Sequence, residues 1–170
     1  MKRTNIRGIT YAGIIACLYA LLTVMPGLSA INFGPIQFRV SEVLTILPIL
    51  TPWAIPGLTI GCMLGNLGSP MLALDLPFGS LATLLAALAT YLLRKRRLLA
   101  LLTPAVFNGL IIGSIITLFY TDIAFSAALL GLNMLSVAFG EIVICYILGY
   151  PLLRILEKRN INFRKGEKST

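Results

Sequence analysis

Polar side chains that can bind a small molecule lie within or beside long apolar runs of this sequence. The set comprises Arg39, Glu42, Asn66, Asp75, Asn108 and Glu141. Ionisable groups are costly inside a bilayer and are therefore functional candidates by default. Carboxylates accept hydrogen bonds, a guanidinium donates them and amides do both, so the set suits a flat ligand with several N–H groups.

The stretch from residue 33 to residue 42 adds Gln37 and the aromatic Phe38, which could cover the face of such a ligand. Structural roles remain open at this point. Arg39 and Glu42 could pair only with each other, and Asp75 and Asn66 could cap helix ends. Asn108 is predicted near the cytoplasmic start of the fifth helix. At that position it would be too deep for an outward-facing site and would instead join neighbouring helices.

The elements that must position these side chains are membrane helices. The chain has 170 residues, of which 58% are hydrophobic and only 12% are charged, and its mean hydropathy is +0.92. Soluble domains are about a quarter charged. The sequence therefore predicts an all-α, multi-pass integral membrane protein with one domain over residues 1–170. The N-terminal apolar run is expected to be a retained span, because no small-residue cleavage site ends it.

The net charge of +8 comes from basic clusters near the ends and at 94–97. We interpret these as cytoplasmic flanks rather than as a nucleic-acid surface. Residues 160–170 are predicted to form a flexible, basic cytoplasmic tail. No histidine is present and the cysteines at 17, 62 and 145 are isolated, so no metal site or cofactor is expected.

The order of the apolar runs predicts six helices with both termini inside the cell. The runs cover 8–30, 40–66, 76–93, 101–121 and 130–152, and an even number of crossings must precede the basic cluster at 94–97. Pro48, Pro52 and Pro56 mark a turn in the second run, which then forms two short helices at about 40–50 and 53–66. The alternative is a single span kinked at these prolines. The first external loop, residues 31–40, is expected to fold back onto the bundle.

Small residues at four-residue spacing predict close helix packing. Gly57, Gly61 and Gly65 share one face, as do Gly109 and Gly113. We expect these faces to pack inside the bundle. A further stripe, Ala12, Ala16 and Ala20, could pack internally or dock another membrane protein.

Several motifs, in order, resemble the QueT family of substrate-binding (S) components of energy-coupling factor (ECF) transporters. They are Phe-Gly-Pro-Ile-Gln-Phe-Arg-Val-Ser-Glu from residue 33, Gly-Cys-Met-Leu-Gly-Asn from 61, Phe-Gly-Ser-Leu-Ala-Thr-Leu from 78, Pro-Ala-Val-Phe-Asn from 104, and Gly-Glu at 140. The likeness runs over about residues 5–158. It implies a six-helix S-component bundle in the bacterial plasma membrane.

The resemblance also implies a function. Such a protein captures a queuosine precursor, a 7-deazaguanine base, and its partners are a transmembrane coupling (T) subunit and two cytoplasmic ATPases. This chain has no phosphate-binding loop and is not expected to be an enzyme. The alanine stripe matches the motif by which S components dock the coupling subunit. The alternatives are an S component for another vitamin or nucleobase, and a membrane scaffold without a ligand.

Overall fold

The computed structural model describes residues 3–27, 38–120 and 125–159. Every regular element in these ranges is helical, as the composition predicts. The helices, in chain order, are α1 (Arg3–Val24), α2 (Val40–Ile49), α3 (Ala54–Asn66), α4 (Leu72–Leu92), α5 (Arg97–Phe119) and α6 (Ala127–Lys158). Gln37 and Phe33, and the fold of most of the first loop and of the C-terminal tail, lie outside the described residues.

Four of the helices are long and apolar enough to cross a bilayer, namely α1, α4, α5 and α6. The other two are short, with 10 residues in α2 and 13 in α3. A 3₁₀-helix rises about 2.0 Å per residue, so α2 is about 20 Å long, and α3 has a similar length. Both fall short of the roughly 30 Å hydrocarbon core.

The predicted break near Pro52 is confirmed, because α2 ends at Ile49 and α3 begins at Ala54. Arg39, just before α2, contacts Asn66 at the end of α3, so the two helices form a hairpin. The geometry of α2 was not predicted: it is a 3₁₀-helix with Pro48 inside it.

Close contacts at glycines show which of the neighbouring helices are parallel and which are antiparallel. A Cβ atom on Gly57 would lie 2.7 Å from the Ala12 carbonyl oxygen, and one on Gly65 would lie 2.8 Å from Thr23 Cβ, so α1 and α3 run parallel. In the second half of the chain, Gly109 meets Ala138 and Gly113 meets Met134, so α5 and α6 are antiparallel. The predicted internal packing of both glycine faces is confirmed.

Successive helices alternate in direction, and this places the first and last helix ends at one end of the bundle. Thr83 of α4 contacts Cys62 of α3, and Thr90 near the end of α4 contacts Thr103 near the start of α5. At the shared end, the Trp53 ring lies against Gly8, and Arg97 Nη2 forms an ion pair with Glu157 Oε1 at 2.9 Å. The main apolar core surrounds α2 and includes Ile46, Leu58, Leu101 and Leu153.

Candidate functional site

Three of the six acidic residues of the chain are buried in the bundle, together with the one basic residue that lies outside the basic clusters. Glu42, Asp75 and Glu141 each expose 2% or less of their surface, as does Arg39. Buried ionised groups are retained only where hydrogen bonds or opposite charges compensate the lost hydration. The contacts of these four residues therefore define the candidate site.

Glu42 lies in the first turn of α2, where the hairpin brings it beside α1. The Tyr19 hydroxyl donates a short hydrogen bond to Glu42 Oε1. Next to this contact, Thr23 Oγ1 donates to Ser41 Oγ at 2.9 Å, so a second polar contact joins the same two helices. The other carboxylate oxygen, Glu42 Oε2, is buried and has no hydrogen-bond donor among the described residues.

Glu141 is held by a matching contact between α5 and α6. Asn108 Nδ2 donates to Glu141 Oε1 at 2.8 Å. The close approach of Gly109 to Ala138 brings the two helices within reach of this bond. Glu141 Oε2 and Asn108 Oδ1 are buried and, within the described part of the chain, have no hydrogen-bond partner.

The structure confirms one expectation about Asn108. Asn108 lies near the middle of α5, which spans Arg97–Phe119, and its side chain contacts Glu141. Its predicted role as a tie between helices is confirmed by its bond to Glu141.

Arg39, Asn66 and Asp75 form a chain of contacts at the open end of the hairpin, where Glu42 also lies. Arg39 Nη2 donates to Asn66 Oδ1 at 3.3 Å, and Asn66 Nδ2 donates to the Asp75 carbonyl oxygen at 2.7 Å. Gly79 leaves the room for this arrangement, because a Cβ there would lie 2.6 Å from Asn66 Nδ2. The Ser69 hydroxyl donates to the Asp75 carboxylate. The amide of Asn66 thus joins α3 to α4.

These contacts belong to one electrostatic cluster in the middle of the bundle. The charge of Glu42 acts on Glu141, and the Arg39 guanidinium acts on both carboxylates. Asn108 lies beside both carboxylates. Three buried acceptor atoms from α2, α5 and α6 therefore lie in the same region, without donors among the described residues.

This arrangement suits a ligand that supplies hydrogen-bond donors. In folded proteins nearly all buried polar atoms have a partner, so a cluster of unpaired acceptors calls for an explanation such as a bound molecule. Phe38 lies half-buried beside Arg39, where an aromatic ring could cover a flat ligand. Whether any of these residues contacts a ligand stays a prediction.

Sequence reasoning missed Tyr19, which is the donor to Glu42. A signal was present: a tyrosine within an apolar helix usually finds a hydrogen-bond partner for its hydroxyl when buried. It also missed Ser80, whose hydroxyl is buried and has no partner among the described residues. Serine and threonine are common at helix contacts in membranes, so Ser80 carries no distinguishing signal of its own.

The alanine stripe faces the inside of the bundle in part. Ala16 is buried, and the backbones of Ala12 and Ala16 pack against Gly57 and Gly61 of α3. Ala20 is half-buried. This placement gives the stripe an internal packing role, and docking of a partner through it stays a prediction.

Comparison with known proteins identifies the family. Residues 9–158 match the family model described as QueT transporter. A relative from Lactococcus lactis subsp. cremoris (strain MG1363), described as "Queuosine precursor transporter QueT", is 45% identical over 84 residues. That similarity covers 49% of this chain and 49% of the relative, so the chain matches about half the length of that protein. No solved structure matches the chain. Because the family match covers nearly all of the described helices, this chain belongs to the QueT transporter family.

Proposed function

We propose that this protein is the substrate-binding subunit of an ECF importer and that it captures a queuosine precursor, a 7-deazaguanine base. Family membership supports a transport role. The name of the Lactococcus lactis relative supports the choice of substrate, and the similarity covers about half of each chain. The four long apolar helices fit a multi-pass protein of the bacterial plasma membrane.

The observation that carries the proposal is the cluster of buried acceptors that have no donor among the described residues. These acceptors are Glu42 Oε2, Glu141 Oε2 and Asn108 Oδ1. A 7-deazaguanine presents N1–H and a 2-amino group along one edge, a pair of donors that a carboxylate or an amide oxygen can accept. A 7-aminomethyl group is cationic and would suit the second carboxylate. The substrate would supply the donors that these acceptors do not find among the described residues.

The remaining contacts would fix the orientation of the base. Arg39 or Gln37 would donate to O6, and Phe38 would cover a ring face. One oxygen of each glutamate is already held, by Tyr19 and by Asn108. The second oxygens are thus pre-oriented, which lowers the ordering cost of binding.

Energy for uptake would come from other subunits. The sequence contains no phosphate-binding loop, so ATP hydrolysis would belong to two cytoplasmic ATPases joined through a transmembrane coupling subunit. Both termini would face the cytoplasm, consistent with the basic residues at the end of the bundle where the helices begin and finish.

Calorimetric titration of purified protein with 7-aminomethyl-7-deazaguanine tests the proposal. Glu141→Gln and Glu42→Gln should each weaken binding by at least tenfold, because hydrogen bonds to a charged group contribute about 1.5–3 kcal/mol. Glu157→Gln is the matched control, since Glu157 lies at the end of the bundle in an ion pair with Arg97. Unchanged affinity in both site variants would refute the assignment of the site.

Competition separates the alternatives. Guanine, thiamine or riboflavin, each at the same concentration as the deazaguanine, should not displace it. Tighter binding of one of these would indicate an S component for another substrate. Mass spectrometry of the purified protein that finds no small molecule, together with no heat of binding for any of the four compounds, would instead favour a scaffold role.

A further inference from the structure

A groove lined by basic residues lies at the end of the bundle where α4 meets α5 and α6 ends. It has a volume of about 410 Å³. Four cations line it: Lys95 and Arg96 from the α4–α5 turn, Arg97 at the start of α5, and Arg154 from α6. Lys95 and Arg154 are 59 positions apart in the sequence, so the fold assembles this site and the basic run at 94–97 does not form it alone.

Among the described residues, the positive charge of the groove is only partly neutralised. Glu157 is the one acidic residue in the segments 93–99 and 150–159, and it pairs with Arg97. Arg154 Nε donates to the Tyr150 hydroxyl at 3.1 Å, and its guanidinium carbon lies 5.3 Å from the centre of the Tyr150 ring. Tyr150 thus orients Arg154 and leaves its two NH₂ groups for an anion.

Apolar side chains adjoin these cations. Leu98 and Leu99 line the same groove and are 57% and 44% exposed. Leu92, at the end of α4 just before the turn, is 78% exposed. Exposed leucines beside unneutralised cations, at the end of membrane-spanning helices, match a molecule that is anionic at one end and apolar at the other.

We propose that this groove binds the phosphate headgroup of an anionic phospholipid, with its acyl chains along the exposed leucines. Basic pockets between helices at the membrane surface are known to bind such headgroups. The positive-inside pattern explains why basic residues occur at this end, but it does not require a groove or an arginine held by a tyrosine. The proposal does not depend on the transported substrate.

Native mass spectrometry of detergent-solubilised protein titrated with phosphatidylglycerol tests the proposal. A Lys or Arg near an anionic lipid contributes about fivefold in binding, so Lys95→Gln/Arg96→Gln should weaken the tightest phosphatidylglycerol site by about 25-fold and Arg154→Gln by about fivefold. All three side chains are exposed. The variants should therefore melt at the wild-type temperature in detergent without added lipid.

Charge-matched controls decide the outcome. Lys158→Gln/Arg159→Gln removes the same charge at the same end of the bundle but outside the groove lining, and it should bind the lipid as tightly as the wild type. Equal losses of phosphatidylglycerol affinity in both double variants would show that only net charge matters and would overturn the proposal. Binding of zwitterionic phosphatidylethanolamine as tight as that of phosphatidylglycerol would also overturn it. Displacement of the lipid by millimolar inorganic phosphate would reassign the groove to a soluble anion, again against the proposal.

Discussion

At the scale of single residues, the two interior glutamates have the same pattern of hydrogen bonds. Each has one carboxylate oxygen fixed by a donor from a neighbouring helix and one oxygen that no described residue satisfies. The donor is a phenol for Glu42 and an amide for Glu141. A side chain held in this way can meet a ligand without losing further rotational freedom, so the partner residues Tyr19 and Asn108 matter as much as the carboxylates.

The Tyr19→Phe substitution should destabilise the protein by about 2 kcal/mol, because it removes a buried hydrogen bond to a charged group. It should also weaken deazaguanine binding, since Glu42 loses the contact that orients it. Denaturation in mixed micelles measures the first effect and calorimetric titration the second.

The control for this change is Tyr91→Phe. The Tyr91 ring contacts the Arg94 guanidinium, whose carbon lies 4.2 Å from the ring centre, and phenylalanine keeps that contact. This variant should remain within about 0.5 kcal/mol of the wild type, as surface substitutions usually do. A Tyr19→Phe protein equal to the wild type in stability and affinity would contradict the role assigned to the hydroxyl.

Arg39→Met should cost about 3 kcal/mol or more, because removing one member of a buried ionic group leaves the opposite charges uncompensated. Arg39 interacts with Glu42 and Asp75 and donates to Asn66. Arg94→Met, at the exposed α4 end, serves as the control. Equal stability of the two variants in micelle denaturation would show that the interior acids do not need a cation.

At the scale of helices, proline and glycine positions were informative because their constraints are local. Pro52 lacks a backbone N–H donor in any fold, and a face of glycines on a membrane helix favours close contact with a second helix. The 3₁₀ geometry of α2 and the start of α5 at Arg97 were not predicted. Neither follows from local pattern: α2 is surrounded by α1, α3, α4 and α6, and this packing can override backbone preference.

The contact between α1 and α3 predicts the effect of Gly61→Ala. The new methyl group would lie 2.7 Å from Tyr19 Cβ and 2.8 Å from the Ala16 carbonyl oxygen, so the helices must separate. Overpacking of this kind costs about 1–3 kcal/mol. The shift would also move Tyr19 relative to Glu42, so ligand affinity should fall together with stability.

Gly13→Ala is the matched control on α1. Among the described residues, no atom outside the neighbouring backbone of α1 lies within 4 Å of a Cβ at Gly13, which is exposed. Alanine is favoured over glycine inside a helix by about 0.5–1 kcal/mol, so this variant should be as stable as the wild type or slightly more so. Loss of stability in Gly13→Ala equal to that in Gly61→Ala would mean that the effect is not due to the helix contact.

At the scale of the whole molecule, the fold brings together residues that the sequence identified only as separate candidates. Glu42 and Glu141 lie 99 positions apart, and their proximity depends on the hairpin and on α6 packing beside α2. Sequence reasoning found both acids because charges are rare in apolar runs. It did not find Tyr19, because a tyrosine in an apolar helix indicates only that its hydroxyl needs a partner, and the partner here lies 23 residues away in the sequence.

The alternation of helix direction predicts how the protein lies in the membrane. The turns that flank α4 should be on opposite sides, because its 21 residues are about 31 Å long and cross the hydrocarbon core once. In intact cells, a membrane-impermeant maleimide should label Gly68→Cys, before α4, and should label Lys95→Cys, after it, only when the cells are permeabilised. Both positions are exposed.

The native cysteines do not have to be replaced for this labelling experiment. Cys62 and Cys145 are buried, and Cys17 is exposed only on the apolar surface of α1, where a charged reagent does not reach. Unmodified protein should therefore stay unlabelled in both conditions. Labelling of Lys95→Cys in intact cells, with Gly68→Cys unlabelled, would show that the protein has the opposite orientation. The basic groove would then face outward, and the polar cluster near Arg39 could not receive substrate from outside the cell.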